Sequence, residues 1–291
     1  MKSPPFAYLA PETLDDVVRG LAEAGEDAKV IAGGQSLLPV LALRLGRPSV
    51  LVDVARVPGL DTIDVVGDEV VLGARVTHAT LERHPLVAAH APLLAEVAPL
   101  IGHAAIRTRG TLGGSLAHAD PAAELPAVAM LTDATIDVRG PDGTRSVPAR
   151  DFFVGYLTTV LAPDEVVEAV RLPARGARVG DAFAEVSRRH GDFALVGAGA
   201  RVGLDEDGRV AELRLAFLGA GSTPVLDVEA GAAAVGRAPD AAVLGEVGRA
   251  AAARLDPHDD LHASASYRRR VAGALAARVL ATAARRAGAA S

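Results

Sequence analysis

The stretch that decides the fold is IRTRGTLGGSLAHADPAAELPA at residues 106–127, where a Gly-Gly pair is surrounded by a few spaced polar side chains. This pattern is typical neither of a core strand nor of a simple amphipathic helix. A second stretch, KVIAGGQSLLP at 29–39, has the same design. In it a short β-branched run is followed by two glycines and by a serine where a helical pattern begins. The repeat indicates that both stretches serve one purpose.

The earlier glycine pair has a direct physical interpretation. Because glycine adopts positive φ readily, consecutive N–H groups at Gly33 and Gly34 can turn toward a single point. A helix that begins at Ser36 adds its unpaired N–H groups and the positive end of its dipole. These features predict a cradle for a phosphate or pyrophosphate. For this stretch taken alone, a tight strand–helix turn capped by Ser36 is the alternative.

The later stretch extends the prediction from an anion to a dinucleotide. Gly113 and Gly114 precede Ser115, so the glycine–serine arrangement is repeated. Asp120 and Glu124 follow, and carboxylates accept hydrogen bonds from ribose hydroxyls, although a carboxylate in a first helical turn also interacts with the helix dipole. Two glycine cradles with spaced acids are more than one phosphate requires. We therefore expect a bound dinucleotide, with each loop contacting part of the pyrophosphate.

Composition limits the classes of function. A chain of 291 residues favours two domains, and a net charge of −6 with interspersed arginines argues against nucleic-acid binding. The absence of cysteine excludes disulfides, a catalytic thiol and an iron–sulfur cluster held by this chain. We see neither a signal peptide nor a membrane span, so a cytoplasmic location is expected. Lysine occurs only at Lys2 and Lys29, which makes Lys29 stand out in an arginine-rich chain.

The order of local patterns predicts an α+β fold in two domains. Residues 1–175 combine β-α units with hairpins at Gly67-Asp68 and Asp142-Gly143, and a long helical pattern covers much of 77–102. The Pro-, Gly- and Arg-rich stretch 172–180 indicates a boundary. Residues 176–291 contain three strand-like runs followed by helices near 227–236, 240–254 and 267–287, which predicts a smaller α+β domain with a three-stranded sheet.

Other motifs are weaker. VGAGARVG at 196–203 resembles a Rossmann fingerprint, but its spacing is one residue too long and a turn follows it, so we interpret it as close strand packing. The pairs His118/Asp120 and His258/His262 lack the further ligands of a metal site, and none is predicted. No nucleophile–base pattern of a hydrolase is present.

The two glycine stretches together resemble the FAD-binding medium subunits of molybdenum hydroxylases, the carbon monoxide dehydrogenase and xanthine dehydrogenase group. EVSRRHGDFALVGAGA resembles the start of that family's C-terminal domain, and SASYRRRVAGALAARVL resembles its closing helix. The resemblance implies an FAD-binding domain of the vanillyl-alcohol oxidase type, with halves at about 1–55 and 56–175. A C-terminal flavoprotein domain at 176–291 would follow.

The resemblance also implies the residues that contact the FAD, which would be bound non-covalently. The first loop would wrap the pyrophosphate, the second loop would add to it, Glu124 would bind the ribose region, and Ile101 and Leu161 would pack on the cofactor. Phe193 stands where some relatives place a tyrosine near the flavin ring. The implied cofactor-binding set is Lys29, Ala32, Gly33, Gly34, Gln35, Ser36, Leu37, Ile101, Gly110, Thr111, Gly113, Gly114, Ser115, Asp120, Glu124 and Leu161.

The function that the resemblance implies is electron transfer within a complex. A molybdopterin-containing large subunit would oxidise the substrate, and [2Fe–2S] clusters of a small subunit would pass electrons to this FAD. The acceptor would be NAD, oxygen or a quinone, and the assembly a dimer of heterotrimers. No side chain of this chain is then expected to act as a substrate acid or base.

Two alternatives remain from the sequence. A self-sufficient FAD-dependent oxidase or dehydrogenase would need a base, for which His190 and Tyr267 are the only candidates. A non-catalytic nucleotide-binding module would bind an adenine nucleotide without flavin.

Overall fold

A small parallel sheet forms the N-terminal part of this computed structural model, which describes residues 2–289. Its strands lie in the order β1-β3-β2, and helices α1 and α2 connect them. The elements are β1 (Ala7–Leu9), α1 (Leu14–Ala24), β2 (Ala28–Ile31), α2 (Leu37–Ala42) and β3 (Val50–Asp53). The Thr13 side chain caps α1 by accepting from the Asp16 N–H, and Gly25 ends the helix with a φ of 65°.

A five-stranded antiparallel sheet follows, in the order β4-β5-β10-β6-β7. The strands after β3 are β4 (Ile63–Val66), β5 (Glu69–Gly73), β6 (Thr135–Gly140), β7 (Gly143–Pro148), β8 (Phe153–Gly155), β9 (Thr158–Thr159) and β10 (Val166–Pro173). The predicted hairpin at Gly67 is confirmed, with a φ of 58°. The other predicted hairpin turns one residue earlier than expected, because Gly140 pairs with Gly143 across Pro141-Asp142.

The helices between these strands are short. They are α3 (His78–Arg83), α4 (Pro85–His90), α5 (Pro92–Val97), α6 (Ala104–Arg107), α7 (Leu112–His118), α8 (Glu124–Leu131) and α9 (Ala149–Phe152). The long helical pattern predicted after Thr77 is therefore divided. Pro85 and Pro92 each begin a new helix because proline lacks the N–H that would continue the previous one. The helices pack on the five-stranded sheet to form the largest apolar core.

The C-terminal part is a meander of antiparallel strands covered by three helices. Its elements are β11 (Val179–Ser187), β12 (Ala194–Leu204), β13 (Val210–Leu218), β14 (Val225–Leu226), α10 (Val228–Ala234), α11 (Ala241–Arg254) and α12 (Ala265–Ala289). The three helices confirm the sequence prediction. The sheet corrects it, since it has four strands and not three. β14 has only two residues, which pair with Ala216 and Phe217. A strand this short shows no alternation of apolar and polar residues, so the sequence pattern does not predict it.

The stretch VGAGARVG at 196–203, which resembles a Rossmann fingerprint, lies within β12. This agrees with its interpretation as a closely packed strand. A Cβ added at Gly199 would lie 2.9 Å from the Leu131 Cδ2 atom of α8. The glycine thus lets the C-terminal sheet approach a helix of the first domain. No helix among residues 2–289 is long and apolar enough to span a membrane.

A buried ion pair lies within the C-terminal part, and a neighbouring arginine connects it to α5. The Arg201 guanidinium donates to both oxygens of Asp181 at 2.7 and 3.0 Å, and the two side chains are only 10% and 4% exposed. Arg286 of α12 donates to the Asp181 carbonyl and to Glu96 of α5, each at 2.6 Å. The cluster therefore links β11, β12, α12 and α5.

Replacing Arg201 with Leu should destabilise the chain by about 3–5 kcal/mol, because the Asp181 carboxylate would stay buried without its partner. Arg19→Leu, which breaks an exposed pair, should cost less than about 1 kcal/mol. Urea unfolding of both variants checks this. Similar losses in the two variants would contradict the assignment of a buried, structurally important pair.

Candidate cofactor site

The first glycine loop presents a run of unpaired backbone donors. It connects β2 to α2 and turns at Gly34, which has a φ of 71°. Within residues 2–289, the N–H groups of the five consecutive residues 33–37 donate to no backbone or side-chain acceptor. The Ser36 side chain also makes no capping bond to α2, so its hydroxyl is unused. α2 itself begins at Leu37, one residue after Ser36. Five unused donors in a partly buried loop fit an anion better than an ordinary turn.

The two glycine stretches touch at Gly33. A Cβ added there would lie 2.0 Å from the Arg109 carbonyl oxygen and 2.9 Å from the Gly110 Cα. Gly33 has no positive φ, so the close contact, and not backbone strain, requires glycine at this position. The contact brings the first loop against the segment that leads into α7.

The second glycine stretch differs from the prediction. The Gly113 N–H donates to the Ala74 carbonyl at 2.8 Å, and the Gly114 N–H donates to the Thr111 hydroxyl at 3.1 Å. The N–H groups of Leu112 and Ser115 are paired as well. The expectation that this Gly-Gly pair offers free N–H groups is therefore wrong. A Cβ at Gly113 would lie 2.6 Å from the Ala74 Cβ, so this glycine allows α7 to pack closely on residue 74.

His78, which the sequence analysis did not single out, holds the second stretch in place. It is 4% exposed, and its Nε2 lies 3.1 Å from the Thr111 carbonyl oxygen and 3.0 Å from the Ser115 Oγ. Burial lowers the pKa of His78 to about 4, so the ring is neutral near neutral pH. The sequence predicts only a helical pattern that begins near residue 77, and a histidine within such a pattern does not by itself indicate that its imidazole is buried.

Arg107 fixes the segment that carries Ile101. Its guanidinium is nearly buried, pairs with Glu82 at 3.0 Å, and donates to the carbonyls of Pro99, Ile101 and Gly102 at 3.1–3.4 Å. The Ile101 side chain is partly buried at the edge of the large core. Leu161, the other residue expected to pack on the cofactor, is partly buried against the same core.

The predicted acidic residues are less exposed than ribose-binding groups in an open loop would be. Asp120 is partly buried and accepts from the Ala122 N–H at 2.9 Å. Glu124 is 6% exposed on α8, and burial raises its pKa to about 7. Glu185, on β11, was not predicted as a site residue. Its pKa is raised to about 8, mainly by burial and in addition by the nearby Glu124 charge. Glu185 lies two residues after Phe183 on the same strand, so the two side chains point to the same face of the sheet. This alternation is the signal in the sequence that indicates a partly buried Glu185.

The remaining predicted residues have different surroundings. Ala32 packs on the N-terminal apolar cluster, and the Gln35 amide donates back to the Gly33 carbonyl at 3.0 Å. Leu37 is the first residue of α2. In the second stretch, Gly110 packs against His78, since an added Cβ would lie 2.7 Å from the His78 ring. The Lys29 side chain is exposed on β2 and makes no hydrogen bond or ion pair with the residues that the structure describes.

A loop of the C-terminal part docks beside Ile101. A Cβ at Gly191 would lie 2.6 Å from the His103 ring, and the His103 and His190 ring centroids are 6.5 Å apart. Phe193, on the same loop, is 64% exposed.

Tyr267, the second candidate base, lies on α12 with Arg270 over its ring. The two candidate bases thus contact different neighbours. Residues 2–289 contain no group of three or more potential ligands arranged for a metal ion.

The geometry fits a diphosphate-containing cofactor. Unpaired donors at 33–37 supply the anion cradle, and the contact at Gly33 closes one side of it with the backbone of 109–110. The unused hydroxyl of Ser36 and the partly buried Ser115 offer further donors close to the loops.

Comparisons with known proteins agree with this geometry. Residues 4–175 match the family model described as the FAD binding domain in molybdopterin dehydrogenase, and residues 181–283 match the CO dehydrogenase flavoprotein C-terminal domain. The chain is thus a flavoprotein with an FAD-binding domain. It belongs to the family of FAD-binding medium subunits of molybdenum hydroxylases, the carbon monoxide dehydrogenase and xanthine dehydrogenase group.

Individual relatives match over nearly their whole length. The chain is 41% identical over 287 residues to the 6-hydroxypseudooxynicotine dehydrogenase complex subunit alpha of Paenarthrobacter nicotinovorans, covering 99% of this chain and 97% of the relative. It is 36% identical to the carbon monoxide dehydrogenase medium chain of Hydrogenophaga pseudoflava, covering 96% and 97%. A solved structure of carbon monoxide dehydrogenase from that organism superposes with a TM-score of 0.96 at 37% identity, covering 98% and 99%.

Gly33→Ala should weaken FAD binding at least about tenfold, because the added methyl group overlaps the Arg109 carbonyl and forces the loops apart. The measurement is titration of the apoprotein with FAD, followed by flavin fluorescence. Gly176→Ala is the matched control, since its Cβ would meet the nearest atom only at 3.6 Å. Unchanged affinity in Gly33→Ala would show that the loop contact does not shape the site.

Stability should fall as pH rises through the raised pKa values of Glu124 and Glu185. The folded chain favours the protonated carboxyls, so their contribution is complete below about pH 4.5 and is lost as pH rises toward about 8. Glu185→Gln keeps a neutral side chain and should remove roughly 3 kcal/mol of this loss. Urea unfolding of the apoprotein at several pH values checks it, with the exposed Glu246→Gln as control. An unchanged slope in Glu185→Gln would refute the assignment.

Proposed function

We propose that this chain is the FAD-carrying electron-transfer subunit of a molybdenum hydroxylase complex. It would take electrons from [2Fe–2S] clusters of a partner subunit and pass them through FAD to NAD, oxygen or a quinone. The observation that carries the proposal is the run of unpaired N–H groups at 33–37, packed directly on residues 109–110, in a chain of this family.

The residues of the two stretches have distinct parts in holding FAD. The N–H groups of 33–37 and the Ser36 hydroxyl would bind the pyrophosphate, and Ser115 would add a side-chain donor. Glu124 and Asp120 would serve the ribose region. A protonated Glu124, favoured by its raised pKa, is able to donate a hydrogen bond as well as accept one. Ile101 and Leu161 would supply apolar surface for the cofactor.

The fold would serve this role as a two-part FAD-binding domain of the vanillyl-alcohol oxidase type. Its halves would be the parallel sheet at about 1–55 and the antiparallel sheet at 56–175, with the C-terminal domain at 176–291. FAD would be held non-covalently, since the chain has no cysteine and no histidine suggests itself as an attachment site.

When bound, FAD supplies the electron-transfer chemistry, while the protein provides binding, orientation and electrostatics. This chain's own residues then hold the cofactor and restrict access to it. The loop that carries Gly191 and Phe193 packs against the Ile101 segment and would cover part of the flavin region. No side chain is assigned to substrate proton transfer.

The partners would be a molybdopterin-containing large subunit and a small subunit with two [2Fe–2S] clusters, assembled as a dimer of heterotrimers. Two facts support a complex. The relatives carry names such as "dehydrogenase complex subunit alpha" and "medium chain". This chain also has no cysteine with which to hold iron–sulfur clusters, so the clusters would lie on another chain.

The purified chain should show the absorption spectrum of oxidised flavin, and acid precipitation should release all of the flavin as FAD into the supernatant. The reason is that cofactor binding rests on hydrogen bonds and packing alone. A colourless chain that fails to bind added FAD would contradict the proposal. Flavin retained in the precipitate would contradict non-covalent binding.

A second measurement separates the electron-transfer role from a self-sufficient oxidase. The FAD-loaded chain is mixed with candidate aromatic heterocycle or aldehyde substrates, without partner subunits, and flavin bleaching is followed. Bleaching by dithionite but by none of these substrates supports the role in a complex. Rapid bleaching by a substrate alone would favour the self-sufficient enzyme, with His190 as the first residue to replace.

A further inference from the structure

The hydrogen bonds of His78 determine its tautomer. A carbonyl oxygen only accepts, so the contact of Nε2 with the Thr111 carbonyl at 3.1 Å requires a proton on Nε2. In the neutral ring Nδ1 then carries none. This assignment agrees with the surroundings of Nδ1, which is buried and has no partner among the described residues. A proton on Nδ1 would be a buried donor without an acceptor, which is costly.

The same proton fixes the role of Ser115. The single Nε2–H is shared between the Thr111 carbonyl and the Ser115 Oγ, so at the 3.0 Å contact the imidazole is the donor and the serine oxygen the acceptor. The hydroxyl proton of Ser115 is therefore not used by His78. Within the part of the chain that the structure describes, the Ser115 hydroxyl makes no other hydrogen bond. Ser115 is only partly buried, so a ligand is able to contact this residue.

The position of this pair relates it to the cradle. The Nδ1 edge of His78 lies against Gly110, where an added Cβ would be 2.8 Å from Nδ1. Gly110 in turn lies against Gly33 of the first loop. A continuous chain of contacts thus runs from the unpaired N–H groups to Ser115 through Gly110 and His78.

We propose that His78 is a positioning residue of the cofactor site: its Nε2–H donates to Ser115 Oγ and thereby directs the serine hydroxyl proton toward a phosphate oxygen of the cofactor. This inference rests on the proposed FAD site and deepens it. His78 itself does not touch the cofactor. It acts through Ser115 and, by its bond to the Thr111 carbonyl, keeps the start of α7 in place.

A double-mutant cycle tests the proposal. FAD affinity of the apoprotein is measured for the wild type, His78→Leu, Ser115→Ala and the double variant. Loss of one hydrogen bond to a charged phosphate should weaken binding by at least about tenfold in each single variant. Because both changes act on the Ser115 hydroxyl, His78→Leu should cost several-fold less in the Ser115→Ala background than in the wild type, and what remains reflects its bond to the Thr111 carbonyl.

A conservative variant separates positioning from simple packing. The amide nitrogen of Gln is able to replace Nε2 as the donor, so His78→Gln should recover affinity to within about threefold of the wild type. Far-UV circular dichroism and urea unfolding of each apoprotein show whether the variants are folded. An equal cost of His78→Leu in both serine backgrounds, or no recovery in a folded His78→Gln, would overturn the proposal.

The cycle also distinguishes failure of this inference from failure of the proposed function. If Gly33→Ala weakens FAD binding while Ser115→Ala and His78→Leu do not, the cofactor site stands and the positioning role is refuted. If none of the three changes affects FAD binding, the assignment of the site to these loops is refuted as well.

Discussion

The contact between Gly33 and the backbone of residues 109–110 is the constraint on which the site depends. At 2.0 Å from the Arg109 carbonyl, the position of a Cβ is already occupied, so no other residue fits without moving a loop. The contact joins the end of a parallel strand to a segment that is distant in sequence and packed on the antiparallel sheet. The first loop is thus held against a neighbouring segment, while the backbone N–H groups of residues 33–37 stay unpaired. Donors that are already fixed in position bind an anion with little loss of conformational entropy.

Much of the local structure follows from the sequence because short-range chemistry determines it. A capping threonine and a glycine, Thr13 and Gly25, mark the two ends of α1; Gly67 turns the first hairpin, and the glycines of β12 belong to a strand. The first glycine loop also follows the prediction, since strand, glycines and helix start are adjacent in the chain. In each case the residues that decide the conformation lie within a few positions of one another.

What the sequence does not reveal depends on contacts between distant residues. The N–H of Gly113 is used by Ala74, and the buried neighbours of His78 and Glu185 come from other elements. Neither the glycine pattern nor the spacing contains this information. The predicted symmetry between the two glycine stretches therefore fails, because the first is a loop whereas Gly113, Gly114 and Ser115 lie in the first turn of α7. The fourth strand was missed because two residues cannot show a periodic pattern.

The asymmetry between the loops has a physical logic. A loop whose N–H groups are all unpaired is costly until its ligand binds, and two such loops in contact would make the free protein poorly defined. Here the second stretch satisfies its own backbone through Ala74 and Thr111, and His78 adds a bond from outside the loop. It thereby forms a firm support for the first loop. Under the proposed function, its contribution to the cofactor would come from side-chain hydroxyls, such as that of Ser115 beside the His78 imidazole.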